Sequence, residues 1–447
     1  MVNRTLFIVL LSLTGSLVSL PLFGAQDSGN IFGTVTDTSG SALPGSTVIL
    51  TGFGATQVQV TDSNGGFRFL GLDPGDWRVK AQLDGFSTVE QPNVVVSVNR
   101  NTEIVLSLSG AIQESITVTA ESPLLDERKV SAGTTISQVE LEKIPSTRDP
   151  WAVMQQAPGV LTDRINVGGN LSGTQQFFTG AGTDKTQNAY YVDGGDITDR
   201  FGTGGFSSTY FDCDQFSEMQ LHTGGTDVTR EVPGVSINLV TKRGSNEFRG
   251  SARFLLTDPD GYFGALKQGN DDLDPNDLGP GQSPENFGAS QVDRNQEYGF
   301  EAGGPLWRNR LWAWASWGFN DLNSVAPNGS PDRIVLENTA IKLNVQFSPA
   351  NTAVVSFNNG DKRGENRGAG PDKAPDSLWN QRGPTGITKI EDSHVFGSSF
   401  FLSGQYVHVD GGFSFASTGG CGPVGQEWTV GADGIQHGQQ CGSTRRR

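Results

Sequence analysis

The sequence predicts a mainly β protein built from several modules. Its 447 residues exceed what one compact hydrophobic core supports, because such cores stop growing at a few hundred residues. The 60 glycines, with only 18% charged and 35% hydrophobic residues, disfavour helical bundles and favour strands joined by many turns. Short runs rich in Val, Ile, Thr and Phe alternate with turn residues along most of the chain.

Residues 1–25 are typical of a secretory signal peptide. One cation, Arg4, precedes an apolar run from Leu6 to Leu20, and the segment ends in the small residues Gly24 and Ala25. A retained membrane anchor is the alternative, but the apolar run is short for a span and polar sequence follows it. We therefore expect export, with removal of the signal near Ala25.

Charge and cysteine content exclude several functions. The net charge of −16 repels nucleic acid, so we expect no nucleic-acid partner. The three cysteines, Cys213, Cys421 and Cys441, show neither a disulfide framework nor metal-ligand spacing. Cys421 and Cys441 flank one glycine-rich stretch and either pair after export or remain free. The sequence indicates no metal site and no cofactor.

Residues 29–108 predict a β-sandwich of about seven strands. The breaks between the strands carry turn chemistry, as in Asp62-Ser-Asn-Gly65 and Asp73-Pro-Gly75. Apolar residues alternate with polar ones from Trp77 to Leu83, which predicts that one face of this strand is buried.

Four segments of this region, in order, resemble the carboxypeptidase regulatory-like domain, a transthyretin-like sandwich: Gly33–Asp37, Leu43–Leu50, Thr61–Phe69 and Gly71–Val79. The resemblance implies a periplasmic spacer or docking module, and the fold is also grouped with carbohydrate-binding modules. It implies no peptidase chemistry, and the region contains no histidine and no zinc-ligand set.

Residues 109–129 form a linker that contains a polar-flanked, β-prone strip. Such a strip is an extended linker or an edge strand whose backbone can pair with another protein's sheet. It resembles the TonB box of outer-membrane receptors, which implies coupling to the TonB energy-transducing complex; an ordinary strand is the alternative. The candidate coupling residues are Glu114, Ile116, Thr117, Val118, Thr119 and Ala120.

Residues 130–244 resemble the plug domain of TonB-dependent receptors, in particular the Oar-like ones. The matching motifs include Gln138–Trp151, Tyr191–Asp199 and Gly234–Gly244. Ser137 followed by Glu140 is a capping box that predicts a short helix, which Pro145 stops. The remainder is expected to be strand and loop.

Two acidic groups are candidate metal or catalytic sites, and the sequence favours a simpler interpretation of each. Asp193, Asp196 and Asp199 lie in a glycine-rich segment without a neighbouring base, so we interpret them as turn formers. The Asp271–Asp277 loop lacks the glycine turn and distal Glu of a calcium loop and is interpreted as a solvated loop. We therefore expect no enzyme.

Residues 245–447 predict the first strands of a transmembrane β-barrel. One face of Thr339–Phe347 is apolar and the other polar, as barrel strands require. The expected connections alternate between long (257–294, 321–333, 361–393) and short (304–309, 348–351, 410–412). Trp312 and Trp314 lie on the opposite face from Trp317 and Phe319, so one pair must point inward or pack on the plug.

About seven strands precede the end of the chain, whereas plugged outer-membrane transporters use roughly 22. We therefore expect an incomplete barrel and a truncated reading frame. The resemblances imply a TonB-dependent outer-membrane transporter whose partners are the TonB complex, membrane lipid and an unidentified extracellular ligand, with a glycan or a peptide as ligand classes. A surface adhesion or carbohydrate-binding protein without transport is the alternative.

Overall fold

The computed structural model of the chain is mainly β. It describes residues 28–52, 56–98, 100–110, 116–117, 132–141, 143, 148–163, 172–174, 177–180, 182–199, 205–224, 234–257, 291–325, 330–369, 373–396, 400–418, 429–430, 436–437 and 442–446. The predicted signal peptide, the Asp271–Asp277 loop, Cys421 and Cys441 lie outside these residues. Within them, no helix is long and apolar enough to cross a membrane.

The first unit is a β-sandwich with the seven strands that the sequence predicts and an eighth, two-residue strand. Its sheets have the strand orders β4-β1-β7 and β3-β2-β5-β6-β8. Apolar side chains from both sheets, including Ile31, Phe69 and Trp77, form its core. The strands are β1 (Gly29–Asp37), β2 (Thr47–Thr51), β3 (Gln57–Val60), β4 (Gly66–Leu72), β5 (Gly75–Gln82), β6 (Val89–Val96), β7 (Asn101–Leu108) and β8 (Ile116–Thr117).

The second unit, here called the inner unit, comprises residues 132–241. Its main sheet has the order β13-β12-β15-β14-β9, and β10 pairs with β11. Trp151, Tyr190 and Met219 are central to its core. The strands are β9 (Ala132–Ser137), β10 (Val160–Thr162), β11 (Phe178–Gly180), β12 (Ala189–Val192), β13 (Gly195–Asp196), β14 (Phe216–Gly224) and β15 (Ser236–Thr241).

The helices of the inner unit are short. α1 (Gln138–Leu141) begins at the predicted capping box, where the Ser137 backbone N–H donates to Glu140 over 2.7 Å. α2 (Pro150–Val153) is capped by the Asp149 carboxylate, which accepts from the Trp151 N–H. Three-residue 3-10 helices span Met154–Gln156, Lys185–Gln187, Cys213–Gln215 and, beyond the inner unit, Pro375–Ser377.

The third unit is an eight-stranded sheet, here called the barrel sheet. Its order is β16-β17-β18-β19-β20-β21-β22-β25, with β16 and β25 at its edges. Every neighbouring pair is antiparallel. The strands are β16 (Arg249–Thr257), β17 (Gln291–Trp307), β18 (Leu311–Val325), β19 (Pro331–Ser348), β20 (Asn351–Arg367), β21 (Trp379–Phe396), β22 (Phe400–Ser417) and β25 (Gly442–Arg446); β23 (Thr429–Val430) pairs separately with β24 (Gln436–His437).

Three of the predicted connections of the barrel sheet are wrong. The long connection predicted at 321–333 lies mostly in strands, because β18 extends to Val325 and β19 begins at Pro331. The long connection predicted at 361–393 contains the end of β20 and most of β21, and the short turn predicted at 410–412 lies inside β22. Asp410 and Gly411 are turn residues in isolation, but here they pair with Gly386 and Thr385 of β21. Ladder pairing along the neighbouring strand overrides the local turn preference. The eighth strand, beyond the seven expected, is β25, which pairs with β22.

The two faces of the barrel sheet differ sharply in polarity. On β19, Lys342 and Asn344 are buried against the inner unit, whereas Ile341 and Phe347 point outward and are 43% and 66% exposed. The same alternation decides which tryptophans point inward. Trp312 and Trp314 are buried on the inward face, while Trp317 and Phe319 lie on the outward face with Tyr298, whose ring stacks on Phe319 at 4.9 Å. The sheet therefore has a polar inner face and an apolar outer face, as predicted.

Candidate functional site: the buried contact between the inner unit and the barrel sheet

A tight turn of the inner unit forms the first ionic contact with the barrel sheet. Asp193 and Gly194 join β12 to β13 with positive φ values of 47° and 74°, the geometry of a two-residue hairpin turn. The Asp193 carboxylate accepts hydrogen bonds from the Thr241 N–H at 2.8 Å and the Thr241 hydroxyl at 2.6 Å. Its Oδ2 is 2.9 Å from Nζ of Lys342 on β19, and both side chains are 1% exposed. The turn is therefore held by a fully buried ion pair.

Two further lysines of the barrel sheet are buried against the inner unit. Lys389 on β21 donates to the Asp193 carbonyl at 2.5 Å and pairs with Glu391 at 2.6 Å. Lys362 on β20 donates to the carbonyl of Gly173, and its ammonium lies 4.1 Å from the centroid of the Tyr210 ring. Three successive strands thus each direct one buried lysine at the inner unit.

A second ionic contact joins the inner unit to β16 and β17. Arg148 of the inner unit pairs with Asp214 and, at 2.7 Å, with Glu297 of β17. Arg253 of β16 pairs with Asp212 at 2.5 Å, with Asp214, and with Glu297 at 2.8 Å. Two arginines therefore share three carboxylates across the boundary between the units.

The electrostatics of this second contact favour the ionised forms. Burial alone would lower the pKa of Arg148, but Glu297 and Asp214 raise it above its usual value. Burial alone would likewise raise the pKa of Asp214, but the hydrogen bond and charge of Arg148 lower it. Both groups consequently stay charged at neutral pH, and the contact is a permanent ion-pair network.

Asp196 and Asp199 are held in turns of the inner unit, and the Cys213 thiol is buried. Asp196 accepts from the Thr198 N–H at 2.8 Å, the turn role expected from sequence, and Asp199 makes an isolated bridge with Phe206 through the backbone. Burial raises the pKa of the Cys213 thiol to about 12, which makes it a poor nucleophile. Among the described residues, no group of three or more His, Cys, Asp or Glu is arranged to hold a metal ion.

The sandwich contacts the inner unit through buried polar groups. The Val98 N–H donates to Glu218 on β14 at 3.2 Å, and the Val98 carbonyl accepts from Gln220 at 2.8 Å. Burial raises the pKa of Glu218 to about 7. A second contact is the ion pair between Asp73 of the sandwich and Arg243, which follows β15.

Only part of the predicted coupling strip falls within the described residues. Ile116 and Thr117 form β8, which pairs in parallel with Val89 and Glu90 of β6 at the edge of the sandwich. Glu114 and residues 118–120 lie outside the described residues. The extended conformation expected of the strip is therefore seen at its centre, and its role in coupling stays a prediction.

Sequence reasoning missed the ionic contacts. It interpreted Asp193 only as a turn former, whereas the structure also gives it Lys342 as a partner 149 residues along the chain. The available signal was the charge of Lys342 on the polar face of a strand whose other face is apolar. A lysine at such a position needs an acidic or carbonyl partner when that face is covered.

Comparison with known proteins agrees with two of the resemblances read from the sequence, those to the carboxypeptidase regulatory-like domain and to the Oar-like receptors. The family model for the carboxypeptidase regulatory-like domain matches residues 30–109. The TonB-dependent transporter Oar of Myxococcus xanthus is 26% identical over 304 residues, which cover 64% of this chain and 26% of the relative. The chain thus spans about a quarter of the length of this relative.

Solved structures that match part of this chain include outer-membrane receptors. The siderophore receptor PirA from Acinetobacter baumannii has a TM-score of 0.48 and 14% identity, over 74% of this chain and 45% of the receptor. The outer membrane transporter YddB from Escherichia coli has a TM-score of 0.48 and 12% identity, over 64% of this chain and 40% of the transporter. This chain carries a carboxypeptidase regulatory-like domain and resembles the Oar-like TonB-dependent receptors of the outer membrane.

Proposed function

We propose that this chain forms part of a TonB-dependent outer-membrane transporter, in which the inner unit is the plug and the barrel sheet is part of the surrounding wall. The sandwich lies in the periplasm, and the strip Glu114–Ala120 is the segment that the TonB complex engages. The transported ligand is an extracellular molecule, with glycans and peptides as the classes to test.

The observation that carries this proposal is the polarity of the barrel sheet. Its inner face holds Lys342, Lys362 and Lys389 against the inner unit, while its outer face exposes large apolar side chains such as Phe254 and Ile390. A sheet with lipid on one side and a charged, protein-filled interior on the other has this distribution. A sheet facing water would not keep so many exposed apolar side chains on one face.

The topology of the inner unit supports a stepwise response to force. β9, which follows the strip in sequence, is the edge strand of the main sheet and pairs only with β14 among the described strands. The Asp193 turn joins β12 and β13 at the opposite edge. Tension on the strip therefore acts on the pairing of β8 with β6 and on β9, and it reaches the strands around Asp193 only after β9 separates.

The test is a backbone substitution in the strip, made in a version of the protein with the complete barrel. Val118→Pro removes a backbone donor and fixes φ, whereas Val118→Ala leaves strand pairing intact. We expect Val118→Pro to abolish site-specific cross-linking to TonB while the protein still fractionates with the outer membrane, and Val118→Ala to cross-link nearly normally. Normal cross-linking of Val118→Pro would show that the TonB complex does not bind the strip by strand pairing.

One observation favours the alternative of a surface binding protein. A groove of about 490 Å³ lies on the sandwich, bounded by Phe32, Val60, Arg68, Glu103 and Val105. Its size is that of a small-ligand site, and it combines apolar and charged walls. Binding of oligosaccharides to the purified chain, lost in Arg68→Ala and unaffected by Val118→Pro, would favour adhesion over transport.

A further inference from the structure

A chain of buried amide groups connects the sandwich to the Asp193 turn across the inner unit. Gln220 on β14 donates through Nε2 to the Val98 carbonyl at 2.8 Å, and its Oε1 accepts from Nδ2 of Asn238 at 3.2 Å. Asn238 on β15 in turn accepts through Oδ1 from the Gly194 N–H at 3.0 Å. Asn238 and Gln220 lie directly opposite each other on paired strands. The three hydrogen bonds therefore form one continuous path.

The path ends at the ionic contact with the barrel sheet. Gly194 is the second residue of the turn whose first residue, Asp193, binds Lys342 through its carboxylate and Lys389 through its carbonyl. Asn238 is fully buried, and Gln220 is 3% exposed. Water therefore cannot readily replace a lost partner, and each amide depends on the next for satisfaction.

All three hydrogen bonds point in the same direction. Each amide side chain accepts at one end and donates at the other, so the bonds polarise one another along the path. A sandwich that moves away removes the Val98 carbonyl, one of two acceptors of Gln220 Nε2, and leaves Glu218 Oε1 at 2.8 Å as the other. The Gln220 side chain is then held less firmly in the position from which it accepts from Asn238. The loss of Asn238 leaves the Gly194 N–H, and with it the geometry of the Asp193 turn, without lateral support.

From this path we propose that the sandwich is a latch for the inner unit: its docking through Val98 stabilises the Asp193 turn on Lys342 and Lys389, and its displacement loosens that turn. The latch is a property of the folded chain and holds whether or not the protein transports a ligand. It assigns the carboxypeptidase regulatory-like domain an intramolecular partner, the β14–β15 surface of the inner unit.

The experiment uses hydrogen exchange of the full chain in its membrane-inserted or detergent-solubilised form. Gln220→Leu cuts the path in its middle with little change in size. Asp73→Asn weakens sandwich docking at its other contact, away from the path, because it removes the charge that pairs with Arg243. Asp76→Asn, on the exposed surface of the same domain, is the matched control.

We expect both Gln220→Leu and Asp73→Asn to speed amide exchange in residues 189–199 and 236–241 by about fivefold, the factor that corresponds to one net hydrogen bond. Asp76→Asn should exchange like the unmodified protein. The Asp73→Asn result is decisive if Gln220→Leu fails to fold. Unchanged exchange at 189–199 in Asp73→Asn overturns the proposal, because the turn would then be independent of the sandwich.

Discussion

The two ionic contacts between the inner unit and the barrel sheet are built in different ways. The pair of Asp193 and Lys342 is sealed, with both side chains 1% exposed. In the network around Arg253, the side chains of Arg148 and Asp214 are 29% and 24% exposed, and each carboxylate except Asp212 has two arginine partners. Burial makes the first contact intolerant of losing a partner, whereas the sharing of Asp214 and Glu297 between two arginines lets the second adapt. The first contact thus fixes the position of the inner unit, and the second reinforces it.

The largest effect is expected when the sealed pair is broken. Lys342→Met leaves the Asp193 carboxylate buried without its cation, which costs about 3–5 kcal/mol of unfolding free energy. Denaturant unfolding of the purified chain, followed by tryptophan fluorescence, measures the loss. The double variant, Asp193→Asn with Lys342→Met, removes both charges and should recover part of the lost free energy of unfolding. Asparagine at this position tolerates the positive φ of the turn. An equal loss in the single and double variants would contradict the ion-pair interpretation.

A pH effect is expected at the third contact, between the sandwich and the inner unit. Burial in the folded chain raises the pKa of Glu218 from an ordinary value of 4.5 to about 7, against the opposing hydrogen bonds from Val98 and Gln220. The raised pKa means that protonated Glu218 stabilises the folded chain fully below pH 4.5. This contribution to the free energy of unfolding, about 3 kcal/mol, is lost as the pH rises to about 7. Proteolysis of the segment after the sandwich at pH 5 and pH 8 measures docking.

Glu218→Gln is the matched control for this pH effect. The amide has the shape of the protonated acid and no charge, so docking should no longer depend on pH between 4.5 and 7. A pH dependence that persists in Glu218→Gln would assign the effect to another titrating group.

The smallest of these effects is expected in the network around Arg253. Arg253→Ala leaves Asp214 and Glu297 paired with Arg148, so only Asp212 loses its cation. We expect the free energy of unfolding to fall by about 2 kcal/mol, because Asp212 still accepts from the Asp214 N–H. Denaturant unfolding of the purified chain measures this loss. A loss as large as that of Lys342→Met would remove the distinction between the two contacts.

The sequence predicts the sandwich strands well because its local signals agree with one another. In β5, alternation from Trp77 to Ala81 and the Asp73-Pro-Gly75 turn specify the same strand, and the structure has it at Gly75–Gln82. In the barrel sheet, local and long-range signals conflict. Asp410 and Gly411 predict a turn, but pairing with β21 keeps them in a strand of 18 residues.

The ionic contacts escape sequence analysis for a different reason. Asp193 has a sufficient local explanation as a turn residue, so nothing nearby demands a cation. Its partners lie on strands whose positions depend on how the whole sheet wraps the inner unit. The inward direction of Lys342 is predictable from alternation, but its pairing with Asp193 is a tertiary property, and so is the bonding of Arg148 to Glu297.

Cross-linking within cells tests most directly whether the inner unit lies against the inner face of the barrel sheet. A Cβ at Gly195 would lie 2.9 Å from the Val407 side chain, whereas Tyr406, one residue earlier on β22, points outward and is 58% exposed. With the native cysteines replaced by serine, Gly195→Cys should form a disulfide with Val407→Cys in outer-membrane fractions, detected as a linked peptide by mass spectrometry. The same cysteine should not link to Tyr406→Cys. Linkage to position 406, or no linkage to 407, would contradict the arrangement of the two units.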